Sequence, residues 1–404
     1  MTDYEMPYEE QYTDLTAQAR LDWLRLIRSE NVGPIIFQKL LSRYGSAGTA
    51  LDALPDLARR GGRRRISLCT IAAAEAELEA ADMIGARPLA SCEAAYPRRL
   101  AALPDPPPLI YVLGDVAQLK SPTVAIIGAR NASASAIRYT RQLANDLGRE
   151  GLVIASGLAR GIDTAAHGGA LERMLEGKSG ESGTVAVMAG GVDVVYPSEN
   201  QALYEAIVDQ GAVISEMPPH TRPQARHFPR RNRLISGLSL GVVVIEAAER
   251  SGSLITARFA LEQGREVFAV PGSPMDPRCR GSNRLIRQGA VLIQTADEVV
   301  EVITPMLQQP GLWAGLSEGP QDLPQSCYSG DGFASVEAPA EALDDNESQS
   351  DRRHLTDLLG ATPVGIDDLI RLSELTPALV ITILLELELA GRIDRHAGNR
   401  VSIS

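Results

Sequence analysis

The chain has 404 residues, of which 44% are apolar, 22% charged and only 4% aromatic; this is a globular mix, long enough for two or three domains, with a core built mostly from Ala, Val, Leu and Ile. No apolar run approaches the roughly 18 residues a membrane span needs, the first eleven residues are acidic and polar, and Cys69, Cys92, Cys279 and Cys327 stand apart, so a membrane anchor, a secretory leader and a disulfide or zinc framework are not expected and the chain reads as cytoplasmic. The net charge of −12 argues against a nucleic-acid partner until its distribution is read: eight acids and no Lys or Arg lie between Leu307 and Ser350, and five arginines and no acid between Glu216 and Glu246, and a polyanion at close range feels the local patch.

Residues 15 to about 90 read as helical. Leu21, Leu24 and Ile27 open a helix-period stripe, Val32-Gly33-Pro34 makes a turn, and Phe37, Leu40, Leu41 and Tyr44 continue on a second helix up to Gly45. Two short helices around a glycine turn fit a SAM-like or helix-hairpin-helix module, and fit a plain helical packing domain equally well.

Residues 105–303 alternate strands with helices. Thr123–Ile127 is a short apolar run ending at Gly128, Tyr139 to Leu147 is helical up to Gly151, and Leu152–Ala155 is the next strand. The rhythm continues through a helix from Ile162, a strand at Thr184–Met188, a helix at Glu199–Gln210 and strands at Ala212–Ile214 and Val242–Ile245. Ser253 is expected to cap a further helix, and strands follow at Val267–Val270 and Ala290–Ile293. The expected class is α/β: a Rossmann-like, doubly wound, mostly parallel sheet with helices on both faces. Residues 304–350 are rich in Pro, Gly, Ser, Gln and acids and read as a disordered linker. Residues 351–404 give three helical patterns and then Arg392-Ile-Asp and Arg400-Val-Ser-Ile403, which describes a winged helix. Its last helix, Pro377–Ala390, carries Glu386 and Glu388 and no Lys or Arg; protein contact suits it better than a DNA groove.

In such a sheet, ligands bind outside the carboxyl ends of the strands. Five segments there suit an anion. In the first, Gly128 allows close backbone approach, Arg130 can grip a phosphate, and Ser133 stands at a helix start. In the second, Ser156, Gly157, Arg160 and Gly161 again place an arginine between glycines, with Asp163 and His167 one turn apart beyond. That pair is either an acid–base couple or, the reading adopted, a carboxylate orienting loop donors beside a packed imidazole. The third holds Gly190 and Gly191, which let a ligand lie on the backbone. The fourth is the basic segment Arg222, Arg226, Phe228, Arg230, Arg231, Asn232 and Arg233, where guanidinium groups neutralise phosphates and Phe228 stacks on an unpaired base. The fifth is Ser251-Gly252-Ser253, an anion nest at a helix start; Glu246 just before it would hold either a ribose hydroxyl or Arg233. No GxGxxG or Walker A loop is present, and no catalytic residue, cofactor or metal ligand is assigned.

Six ordered blocks resemble the DNA processing protein A (DprA/Smf) family: VAIIGARNAS from Val124, SGLARGIDTAAH from Ser156, GTVAVMAGGVDVVYPSEN from Gly183, HFPRRNRLISGLS from His227, EAAERSGSLITA from Glu246 and GREVFAVPG from Gly264, with GSNRLIRQGA from Gly281 fitting as well. Together they span about half of the chain. The resemblance implies a recombination mediator, not an enzyme, that binds incoming single-stranded DNA during natural transformation, protects it, loads RecA recombinase and forms a homodimer through the Rossmann-like domain. It implies that Arg130 meets phosphate, Phe228 meets a base and the neighbouring arginines line the groove. Two departures stand out: Ala189-Gly190-Gly191-Val192-Asp193 replaces the family's GCGLD, and His220 follows Pro218-Pro219 where many relatives have Gly. The rival is a Rossmann-like nucleotide hydrolase of the lysine-decarboxylase-like group. Its PGGxGTxxE loop is missing, since Pro271-Gly272-Ser273-Pro274 lacks the glutamate.

Overall fold

A computed structural model describes residues 14–63, 65–175, 183–308, 345–396 and 398–404. Most of the expected linker therefore lies outside the described residues. Two compact units divide the chain: one joins the N-terminal helices, from Leu15 to Ala74, to the C-terminal module, and the other begins at Glu75 and holds the large sheet.

The first unit opens with α1 (Ala17–Arg28), α2 (Pro34–Tyr44) and α3 (Ala47–Arg60). Pro34 starts α2, where its missing N–H costs nothing, and Gly45 ends it at φ 75°. Leu24, Phe37, Leu40 and Leu54 are buried between these helices, and the Trp23 and Phe37 rings meet edge to face at 5.0 Å.

The second unit begins with α4 (Ile71–Met83), whose last turns belong to it. Its sheet has nine strands: β1 (Arg87–Ala90), β2 (Leu109–Gly114), β3 (Thr123–Gly128), β4 (Val153–Ser156), β5 (Thr184–Val187), β6 (Ala212–Ser215), β7 (Gly241–Ile245), β8 (Glu266–Ala269) and β9 (Val291–Leu292). The order across the sheet is β1-β2-β6-β5-β4-β3-β7-β8-β9. From β6 to β9 all neighbours are parallel, while β1 and β2 add an antiparallel edge. The sheet thus starts upstream of residue 105, because Arg87–Ala90 pairs with Leu109–Val112.

The helices are α5 (Arg98–Ala101), α6 (Ala134–Arg149), α7 (Ile162–Leu175), α8 (Gln201–Gln210), α9 (His227–Leu238), α10 (Ser253–Glu262), α11 (Arg280–Arg287) and α12 (Ala296–Gln308). Successive strand residues point to opposite faces. Ala125 and Ile127 accordingly pack with Leu234, Leu238 and Ala257, and Val124 and Ile126 with Leu143, Leu147 and Ile162. Both faces are covered, so the central strands are apolar along their whole length. The chain winds outward from β3 through β6, then returns to β7 beside β3. This reversal separates the loops after β3 and β7 and makes their junction the ligand crevice of a doubly wound sheet.

The C-terminal module comprises α13 (Asp345–Asp357), β10 (Val364–Gly365), α14 (Ile366–Ser373), α15 (Pro377–Leu389), β11 (Ile393–His396) and β12 (Arg400–Ile403), with strand order β10-β12-β11. It is a winged helix around Leu355, Leu369, Ile383, Leu384 and Val401. Its α15 abuts the N-terminal helices of the same unit: Asn31 Nδ2 donates to the Leu389 carbonyl at 2.9 Å, and Arg43 to Thr382 Oγ1 at 3.0 Å.

Candidate nucleic-acid interface

The loops after β3 and β4 meet at the carboxyl ends of the strands. A side chain on Gly128 would sit 1.9 Å from the Ile245 carbonyl, and one on Gly161, whose φ is 76°, would sit 2.3 Å from the Ala129 carbonyl. The amide of Ile162 donates to that same carbonyl at 3.2 Å. These close approaches hold the first two loops together and leave Arg130 projecting into solvent. Its guanidinium carbon lies 5.6 Å from the centroid of the Phe228 ring. Among the described residues Arg130 makes no salt bridge, although its charge helps to hold the pKa of buried Asp163 down. The Tyr196 ring, 51% exposed, meets Phe228 edge to face at 5.9 Å. Arg130, Phe228 and Tyr196 therefore form one platform. Tyr196 was not singled out from the sequence, although an aromatic residue before Pro197 in the loop after β5 was a usable signal. Below the platform lies a crevice of about 10 Å³, lined in part by Gly157, Gly190, Val194 and Arg231. It holds no more than about one water, so a base must lie on the rings rather than enter between them.

The basic segment is corrected by its own conformation. From His227 it is helix α9, and successive residues on a helix point about 100° apart. Arg230 is exposed, while Arg231 and Arg233 are buried. Arg231 donates to the Gly157 carbonyl at 2.6 Å and the Val187 carbonyl at 2.7 Å, and its guanidinium carbon is 5.9 Å from the Phe228 centroid. Burial lowers its pKa to about 10, against the pull of Asp163, so it stays charged at neutral pH. Arg233 pairs with Glu216 at 2.6 Å and Asp105 at 3.4 Å, not with Glu246. Both guanidinium groups are engaged within the fold, and of the two only Arg231 touches the platform. Arg222 and Arg226 are exposed, and Arg230 stands 3.9 Å from Glu216. Half-buried Asn232 reaches the Gly252 carbonyl only at 3.5 Å.

The second loop is held from within. Asp163 accepts from the amides of Gly157 at 3.1 Å and Ala159 at 3.3 Å; burial raises its pKa, and Arg231 and those amides oppose the shift. The Thr184 hydroxyl donates its single hydrogen to the Ile154 carbonyl at 2.7 Å, so it accepts from His167 Nδ1 at 2.6 Å. His167 therefore carries a proton on Nδ1, and burial, which lowers its pKa to about 3, keeps the ring neutral. Asp163 orients loop amides and His167 packs, as the second of the two readings has it. Ser156 is fully buried and donates to the Ile126 carbonyl at 2.6 Å, and Gly157 is covered by the Arg231 guanidinium. Neither offers a side chain to a ligand. Arg160 is exposed but paired with Glu199.

Three further assignments are corrected. At the switch point, Glu246 takes the place of the expected phosphate: Ser133 donates to it from its amide at 2.8 Å and from its hydroxyl at 2.5 Å. Ser133 also caps α6 by accepting from the Ala136 amide at 3.1 Å. Gly191 is buried, and a side chain there would meet the Pro218 carbonyl at 2.7 Å and the His220 amide at 2.9 Å, so the chain itself occupies the expected ligand space. His220 fills its departure from the family pattern by bonding Asp193 through its ring at 2.6 Å. At the fifth segment, Ser253 is buried and hydrogen-bonded to Ser251 at 2.7 Å, whereas Gly252, the N-cap of α10, is exposed with open space where a Cβ would stand and keeps its expected place. The potential metal ligands Glu246, Asp276 and Cys279 lie within 4.8 Å of one another. Their carboxylates already serve Ser133 and Arg278, the latter at 2.7 Å.

Three family models match this sequence: "DNA recombination-mediator protein A" over residues 87–304, "DprA-like N-terminal HHH domain" over 17–80 and "DprA winged helix domain" over 337–399. The chain is 44% identical to DNA processing protein DprA of Bacillus subtilis over 207 residues, covering 51% of this chain and 67% of the relative. It is 39% identical to Protein Smf of Escherichia coli over 309 residues, covering 76% and 75%. Among solved structures, DNA processing protein A from Streptococcus pneumoniae aligns with a TM-score of 0.59 at 35% identity, over 71% of this chain and 98% of that one.

Proposed function

Given that the chain belongs to the DNA recombination-mediator protein A family, we propose that it binds single-stranded DNA across the carboxyl edge of the sheet, phosphates against Arg130 and Arg230 and unstacked bases on Phe228 and Tyr196. The observation that carries this reading is the contact between an exposed guanidinium and an accessible aromatic pair, 5.6 Å from Arg130 to the Phe228 ring. A guanidinium grips phosphate whatever the sequence, and every base has a face to stack. Binding is then nearly sequence-independent, weaker for duplex, whose bases are already stacked, and steeply salt-dependent. We further assign the chain a cytoplasmic role in recombination and natural transformation. There, as a homodimer, it protects incoming strands and hands them to RecA. No chemical step is assigned, and the reading finds support in the engagement of Asp163 and His167 within the fold. An anisotropy titration with labelled oligonucleotides tests the core of it: single strand should bind at least tenfold tighter than duplex, and equal affinities would refute the platform.

A further inference from the structure

A second cleft lies in the unit that joins the N-terminal helices to the C-terminal module and contains none of the residues assigned above. It has a volume of about 490 Å³ and is lined by Arg59 and Arg60 from α3, Arg352, Arg353 and Asp357 from α13, and Arg392 before β11. Gly61 makes it possible. A side chain there would sit 2.0 Å from the Glu386 carbonyl, so only glycine lets the end of α3 touch α15. Arg352 is anchored to buried Glu386 at 2.7 Å, and Arg59 pairs with Asp56. Arg60, Arg353 and Arg392 are exposed and, among the described residues, have no ion-pair partner. Compensation of the helix dipole explains arginines in the last turn of α3, but not Arg353 or Arg392. Like charges converging on one cleft repel until an anion enters. Among the described residues no aromatic ring lines it, so they offer nothing for a base to stack on, and planar guanidinium forks fit phosphate.

We propose that this cleft is a second, base-independent site that takes the sugar-phosphate backbone of a nucleic-acid strand. The proposal rests on the reading of the chain as a strand binder and adds a separate contact to it. It also gives acidic α15 a part: that helix reads no groove and instead fixes the arginine-bearing elements around it.

The test uses the full chain and two labelled oligonucleotides, one normal and one abasic, which has backbone but no bases. Replacing the free cations (R60A/R353A/R392A) should weaken abasic binding about tenfold and lower the log–log salt slope by roughly 2, at about 0.7 for each phosphate that is no longer neutralised. The triple lysine version should stay within a few-fold of wild type, and unfolding midpoints should not move, because all three side chains are exposed. Wild-type affinity and slope in the triple alanine variant overturn the proposal. Equal displacement of the abasic strand by polyglutamate at matched charge also overturns it. The sheet-edge reading fails separately: if R130A/F228A leaves the normal oligonucleotide unaffected while the triple variant loses the abasic one, the platform falls and the cleft stands.

Discussion

Neighbouring residues of α9 have opposite duties, and substitution should separate them. Phe228→Ala removes a stacking face and should cost single-strand affinity on the order of tenfold with the salt slope unchanged. Arg130→Ala should lower that slope by about 0.7. Arg231→Ala instead leaves two buried carbonyls and the Asp163 carboxylate without their cation, so stability should fall by about 3–5 kcal/mol in a urea titration. Arg230→Ala should spare stability and weaken only DNA. His167 supplies a pH signature. Unfolded, it gains a proton near pH 6.5; folded, it refuses one until about 3. The native state binds fewer protons across that window, so the contribution of neutral His167 is complete above about 6.5 and is lost as pH falls toward 3, by at most roughly 1.4 kcal/mol per unit. His167→Gln should flatten the dependence of the unfolding midpoint between about pH 6 and 4; parallel curves for the two proteins would disprove this. Arg130 and Phe228 were legible because loop glycines and an interleaved aromatic are local signals. The inward turn of Arg231 and Arg233 was not, because no helix is expected over that segment from the sequence, and only helical phase and the distant partners Glu216 and Asp105 tell the two classes apart.

Among the elements, strands and their helices follow directly from short apolar runs ended by glycine, and the doubly wound sheet is where that rhythm predicts it. The antiparallel edge was missed since β1 opens with Arg87 and Pro88, so no apolar run marks it, and it follows a helix-rich stretch. The junction of β3, β7 and α6 shows what local reading cannot supply. Ser133 looked like a phosphate ligand because a hydroxyl at a helix start attracts anions, yet the anion is Glu246, 113 positions along the chain. Ser133→Ala should therefore lower stability by about 1 kcal/mol or somewhat more, through loss of the α6 cap and of a bond to a charged group. It should leave oligonucleotide affinity within twofold. A tenfold affinity loss without destabilisation would restore Ser133 to the interface.

For the whole molecule, a net charge of −12 conceals cation-rich faces in each unit. The clustering of Arg59 and Arg60 with Arg353 and Arg392 was beyond sequence reading, since nearly three hundred positions separate the halves of one cleft. The contact of α15 with α3 also makes the terminal regions interdependent. Ending the chain before residue 345 should make α1–α3 sensitive to protease while the sheet unit stays resistant. Equal resistance of α1–α3 in both forms would show that they need no help from the C-terminal module. The order of synthesis gives this arrangement a further meaning. The ribosome releases α1–α3 before the sheet unit and their docking partner α15 after it. The nine-stranded domain can finish folding during translation, whereas α1–α3 must wait, incompletely covered, for α15 to emerge. A chain stalled before α15 would thus carry a folded sheet unit and N-terminal helices still missing one of their packing partners.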